Sequence, residues 1–190
     1  MDNKVESWLS EFRALRDEIQ NRSRVQQALV ALNMSALATI LGIAFSLPEW
    51  WDPSILLVIP FLSSLLSLLY LNHDFTIATL GHYIRDRIRP KLCELTGDAE
   101  IMGWELWIRD VPRKSKIPRE MAFHLAAPVL YIAPCIIALK ATYDIAFSTE
   151  GYMLRTTWIA GLILAALNIG LWCYRYKYWG GKASEKTKES

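Results

Sequence analysis

A chain of 190 residues that is 53% hydrophobic and 21% charged, with a formal net charge of +2, is short for two domains and too apolar for an ordinary water-soluble one. Its three cysteines, Cys93, Cys135 and Cys173, show no paired spacing, which supports neither a disulfide framework nor a zinc site. The apolar residues gather into blocks at 28–47, 54–72, 122–147 and 156–174, each close to the roughly 20 residues that a helix needs to cross about 30 Å of hydrocarbon.

The chain opens with a mixed-charge segment, 1–26, in which Trp8, Phe12, Leu15 and Ile19 recur at helical spacing. This predicts an amphipathic helix that packs on another element or lies along a membrane surface. These mixed-charge residues precede the first apolar block, and the block itself is too long for the apolar region of a cleaved signal sequence, so it is read as a retained helix.

Residues 27–72 are predicted to hold the first two spans. Neither of the first two apolar blocks contains an Asp, Glu, Lys or Arg, whereas a soluble amphipathic helix shows such residues every turn. In the first, Ala28, Ala31, Ser35, Ala38, Gly42 and Ser46 follow steps of three and four with Thr39 beside them, and Asn33 lies toward the start. The second carries Ser63 and Ser67 one turn apart, with Pro60. Two readings stay open. Small residues let helices approach closely in lipid, and hydroxyl-bearing stripes can line a narrow pore. The pore-lining set on the second reading is Asn33, Ser35, Thr39, Gly42, Ser46, Ser63 and Ser67, joined by Lys140 and Asp144 as ring charges near the end of the third block.

Residues 73–121 are read as a helical loop. Ile77, Leu80, Ile84, Ile88, Leu92 and Leu95 repeat at helical spacing, so the second span is expected to continue as an amphipathic helix, kinked by Pro90 and ended by Gly97. The His73-Asp74 pair is expected to cap or orient the junction. A short element from Ile101 to Asp110 offers Trp104, Trp107 and Ile108, and a basic connection follows. Tyr83, Arg85, Arg87, Arg89, Lys91, Arg109, Arg113 and Lys114 are the candidate contacts for an anionic ligand, because cations with interleaved aromatics suit phosphates and stacked bases. Anionic lipid headgroups attract the same residues.

The third and fourth spans are expected within 122–174, with Gly161, Ala165 and Asn168 on one face of the fourth, and 175–190 is a basic tail. Of the 21 Lys and Arg, nineteen fall in the N-terminal segment, the 73–121 loop and the tail, leaving only Lys140 and Arg155 near the opposite loops. The positive-inside rule then places both termini and the large loop in the cytoplasm. The fold class that follows is all-α: an integral protein of the inner (plasma) membrane with four transmembrane helices, amphipathic cytoplasmic helices and a symmetric homo-oligomeric assembly.

The sequence has no glycine-rich phosphate loop, no Gly-x-Ser-x-Gly elbow and no metal-like spacing of His73, His82 and His124. The reading is therefore of a non-enzyme with no catalytic residues, metal or cofactor. The run His73-Asp74, Ile77, Leu80-Gly81, Tyr83-Ile84-Arg85, Ile88, Pro90 and Leu92, followed by Gly103-Trp104-Glu105 and Trp107, resembles a family of small bacterial multi-pass proteins. More loosely it is similar to the membrane effectors of bacterial anti-phage systems of the Hailong type. The resemblance covers about residues 70–110 and the layout of the spans. It implies an oligomeric ion channel held closed by a nucleic-acid oligomer, which a partner nucleotidyltransferase makes, and opened during infection. The alternative class is a non-conducting membrane scaffold or accessory subunit that organises a partner protein.

Overall fold

The computed structural model describes residues 2–46, 53–103, 119–148 and 152–185, and among these every regular element is helical. In chain order they are α1 (Asp2–Ser46), a short 3-10 turn (Pro53–Leu57), α2 (Val58–Tyr83), a π-turn (Ile84–Ile88), α3 (Arg89–Thr96), α4 (Arg119–Ala141), α5 (Tyr143–Ala146) and α6 (Tyr152–Glu185). Three stretches, Asn3–Ser46, Ser54–Thr96 and Tyr152–Lys177, are long and apolar enough to cross a membrane. The apolar part of α4, Ala126–Ala141, is shorter.

The chain divides into two compact units. The first comprises Met1–Ala28 and Asn72–Arg119. Its core is the row Ile84, Ile88 and Leu92, each no more than 2% exposed, against Val5, Trp8, Leu9, Phe12, Leu15 and Ile19 of α1. The two amphipathic faces read from periodicity thus cover each other within one chain. Ile101 and Met102 also pack against the row. Burying side chains of this size removes roughly 1.5–3 kcal/mol of unfavourable hydration each.

His73 and Asp74 cap no helix end, because α2 runs through both residues without a break. The irregularity falls a turn before Pro90. Proline supplies no N–H and its ring collides with the carbonyl four residues back, here that of Asp86. The helix widens in response: the Arg89 N–H closes on the Ile84 carbonyl, five residues back, and Pro90 then stands in the first turn of α3. Gly97 ends α3 in a left-handed conformation, φ 70°, with its N–H on the Cys93 carbonyl at 2.9 Å.

The second unit comprises Leu29–Leu71 and Glu120–Ser190. Leu37, Ile59 and Ala138 form one apolar cluster, and Leu57, Cys135, Leu139 and Ala165 form another. α2 and α6 approach closely where Gly161 faces Pro60; a Cβ on Gly161 would lie 3.2 Å from Pro60 Cβ. The last carbonyls of α4 find donors: Thr142 gives both its N–H and its hydroxyl to Ala138, and Trp158 Nε1 donates to Leu139 at 2.7 Å.

Candidate functional site

The polar residues of the second unit divide into an inner seam and an outer face. The inner seam begins at Asn33, 1% exposed. Pro134 has no N–H to offer the Leu130 carbonyl one turn back, and the Asn33 amide donates to that carbonyl at 3.2 Å. In return the Asn33 oxygen accepts the Ser63 hydroxyl proton at 2.9 Å. One turn along α2, Ser67 donates to Asn168 Oδ1 at 2.8 Å and accepts from Trp172 Nε1 at 3.0 Å, while the Asn168 amide reaches the Ser64 carbonyl at 3.3 Å. Tyr70 stacks obliquely between Trp172 and Tyr131, with ring centroids 5.9 and 5.8 Å away. In hydrocarbon, where water cannot serve as partner, such bonds draw helices together by roughly 0.6–2 kcal/mol each.

Three of the nine candidate lining residues, Asn33, Ser63 and Ser67, therefore spend their polar groups within a single chain. The outer face holds the others on α1. Ser35, Ala38, Thr39, Gly42 and Ser46 are exposed, and nothing lies within 4 Å of a Cβ built on Gly42. At about 100° per residue this stripe lies across the helix from Asn33, Leu37 and Ala44, which face the unit's interior. Thr39 and Ser46 return their hydroxyl protons to the carbonyls of Ser35 and Gly42 at 2.9 and 2.6 Å, which leaves the oxygen lone pairs facing outward. The large apolar residues Leu32, Ile43 and Phe45 flank the stripe and are also exposed. Lys140 and Asp144 are both exposed and make no ion pair with each other, because α4 ends at Ala141 between them.

The ligand candidates lie in the first unit, on and beside the π-turn. Tyr83 donates its hydroxyl to Glu11 at 2.9 Å, and this bond raises the phenol above its ordinary pKa of 10.0. Arg85 is held by Asp86 at 2.8 Å and meets the His82 ring. Arg89 donates to the Ala99 carbonyl at 3.2 Å, and Lys91 pairs with Glu94 at 2.7 Å. Arg87 is exposed and has no acidic partner among the described residues. Arg109, Arg113 and Lys114, with Trp104 and Trp107, lie outside the described residues.

No family model, curated protein or solved structure matches the chain. Asn168, Trp172 and the Pro134 gap were missing from the set of site residues drawn from the sequence. The available signal was Pro134 itself, since a proline inside an apolar helix leaves a carbonyl that some other polar group must serve.

Proposed function

We propose that the chain is the subunit of a homo-oligomeric membrane effector that conducts ions and is gated from the cytoplasm by an anionic ligand. In this reading α1, α2, α4 and α6 each cross the inner membrane, with α4 completing its shorter apolar stretch through its flanking turns, and both termini are cytoplasmic. The single observation that carries it is the outward stripe of α1. A helix face directed away from its own bundle would meet lipid and would be expected to carry large apolar side chains; here Ser35, Ala38, Thr39, Gly42 and Ser46 occupy it. Small residues in lipid are the mark of a second helix approaching closely, and outward oxygens are the mark of a wetted path. Copies of the chain arranged around an axis with this stripe inward would supply both.

The cations around the π-turn support an anionic signal, and the nucleotide or single-stranded oligonucleotide implied by the resemblance to anti-phage effectors fits that chemistry, as does a nucleotidyltransferase partner that would make it. The test is planar-bilayer conductance of the purified protein. The expected outcome is unitary currents that Ser35→Leu together with Gly42→Leu reduces at least tenfold, with no change in the thermal midpoint of the folded protein. Absence of any current, with and without a short oligonucleotide, would contradict conduction and leave the non-conducting scaffold.

A further inference from the structure

Hydroxyls along the helices find partners by two routes. Thr39, Ser46, Thr76, Thr79 and Thr142 return their protons to the carbonyl four residues back, whereas Ser63 and Ser67 donate to Asn33 and Asn168 on other helices. Two hydroxyls take neither route. Ser64 and Tyr131 are 1% and 0% exposed, and neither Ser64 Oγ nor Tyr131 Oη has a hydrogen-bond partner among the described residues. The Cys135 sulfur lies beside Ser64, but its proton goes to the Tyr131 carbonyl at 3.0 Å, and a thiol sulfur is only a weak acceptor. A buried hydroxyl without a partner carries its full desolvation penalty, so two of them in one bundle call for an occupant.

Both residues belong to the contact between α2 and α4, and both stand between the two hydrogen-bonded groups of the inner seam. Ser64 follows Ser63, which bonds Asn33, and the Ser64 carbonyl accepts from Asn168. Tyr131 follows Leu130, whose carbonyl takes the Asn33 amide, and its ring packs against Tyr70, which also packs against Trp172. We propose that this part of the seam is a binding site for ordered water, held by the Ser64 and Tyr131 hydroxyls. The chemistry selects water because each hydroxyl can both donate and accept, and buried waters typically make about three hydrogen bonds to such groups. The fully buried polar side chains of the unit, Asn33, Ser63, Ser64, Ser67, Thr142 and Asn168, carry no charge that would favour an ion. Bound there, water fastens α2 to α4 through groups that neither helix satisfies itself and completes the polar layer between the Asn33–Ser63 and Ser67–Asn168 pairs. The site lies inside one chain, so the inference does not rest on conduction or on the outward stripe of α1.

The experiment is radiolytic hydroxyl footprinting of the full-length protein in nanodiscs, read by mass spectrometry. X-rays generate hydroxyl radicals from water in place, so a buried side chain is oxidised where water is bound beside it. After correction for intrinsic reactivity, Tyr131 is expected to be oxidised in the parent chain, whereas Leu92, equally buried in an apolar row, is protected. Tyr131→Phe, which removes only the oxygen, supplies a second readout whose sign depends on whether the hydroxyl is hydrated. Loss of a hydroxyl bonded to water should lower the thermal midpoint by a few degrees, and loss of a dry one should raise it. A protected Tyr131, or an unchanged or raised midpoint for Tyr131→Phe, would overturn the proposal. A midpoint of the parent chain that rises with sodium but not with choline at equal ionic strength would also overturn it, assigning the hydroxyls to a cation. Conductance enters none of these readouts, so a failure here is separable from a failure of the channel itself.

Discussion

Asn33 shows how a residue's role can be decided by another far along the chain. Its amide stands where the N–H of residue 134 would be if that residue were not proline, 97 positions from the carbonyl it serves. Asn33→Ala should cost about 1–3 kcal/mol, because it leaves the Leu130 carbonyl without a donor and the Ser63 hydroxyl without its acceptor. Asn33→Ala placed in a Pro134→Ala background should cost about 1 kcal/mol less, since the new backbone N–H serves Leu130 directly. Unfolding in mixed detergent micelles, run as a double-mutant cycle, reads the difference; strict additivity would refute the compensation. From sequence Asn33 could be read only as a polar residue in an apolar block. Nothing local to positions 28–47 announces a gap in α4. Tyr83 carries a prediction about pH. Its pKa is raised by donation to Glu11, so the bond stabilises the first unit fully below the unfolded value of 10.0 and is lost as pH rises through the higher folded value. Stability of the parent chain should therefore fall on alkalinisation beyond about pH 10, and Tyr83→Phe should make that fall shallower; identical profiles would contradict it.

Among the elements, the amphipathic helices were legible and their pairing was not. Trp8, Phe12, Leu15 and Ile19 announce a helix face because the 3.6-residue period is a local property. That the same face meets Ile84, Ile88 and Leu92 is a long-range fact, decided by which exposed apolar surfaces remain when the chain closes. The widened turn was also hidden, since Pro90 predicts some distortion without saying whether the helix bends or takes up an extra residue. Leu92→Ala should destabilise the first unit by about 2–5 kcal/mol, as for other fully buried leucines, and hydrogen exchange should show the loss in α3 and in the first five turns of α1 together. In the second unit the close approach of α2 and α6 depends on Gly161. Gly161→Val forces methyl groups into Pro60 and Leu139 and should cost about 1–3 kcal/mol, measured as a lower thermal midpoint; an unchanged midpoint would mean that the two helices separate freely.

At the scale of the whole molecule, hydropathy indicates a helical protein with membrane-length apolar stretches, and three such helices are present among the described residues. The compact units divide at Ala28, Leu71 and Arg119, where the sequence passes between apolar and charged stretches, because burial and charge sort the same residues. The candidate site was only half legible. A polar residue in an apolar helix looks the same whether it turns inward, as Asn33, Ser63 and Ser67 do, or outward, as Ser35 and Thr39 do, and one helix read alone does not say which of its faces the rest of the chain will cover. Once the interior is known, the outward stripe of α1 becomes the feature left to explain. Single-particle imaging of the full-length protein in nanodiscs tests that explanation most directly. A closed ring of identical subunits with Ser35, Thr39 and Gly42 turned toward the axis is the predicted result. A monomer, or a ring in which that stripe faces lipid, would contradict it.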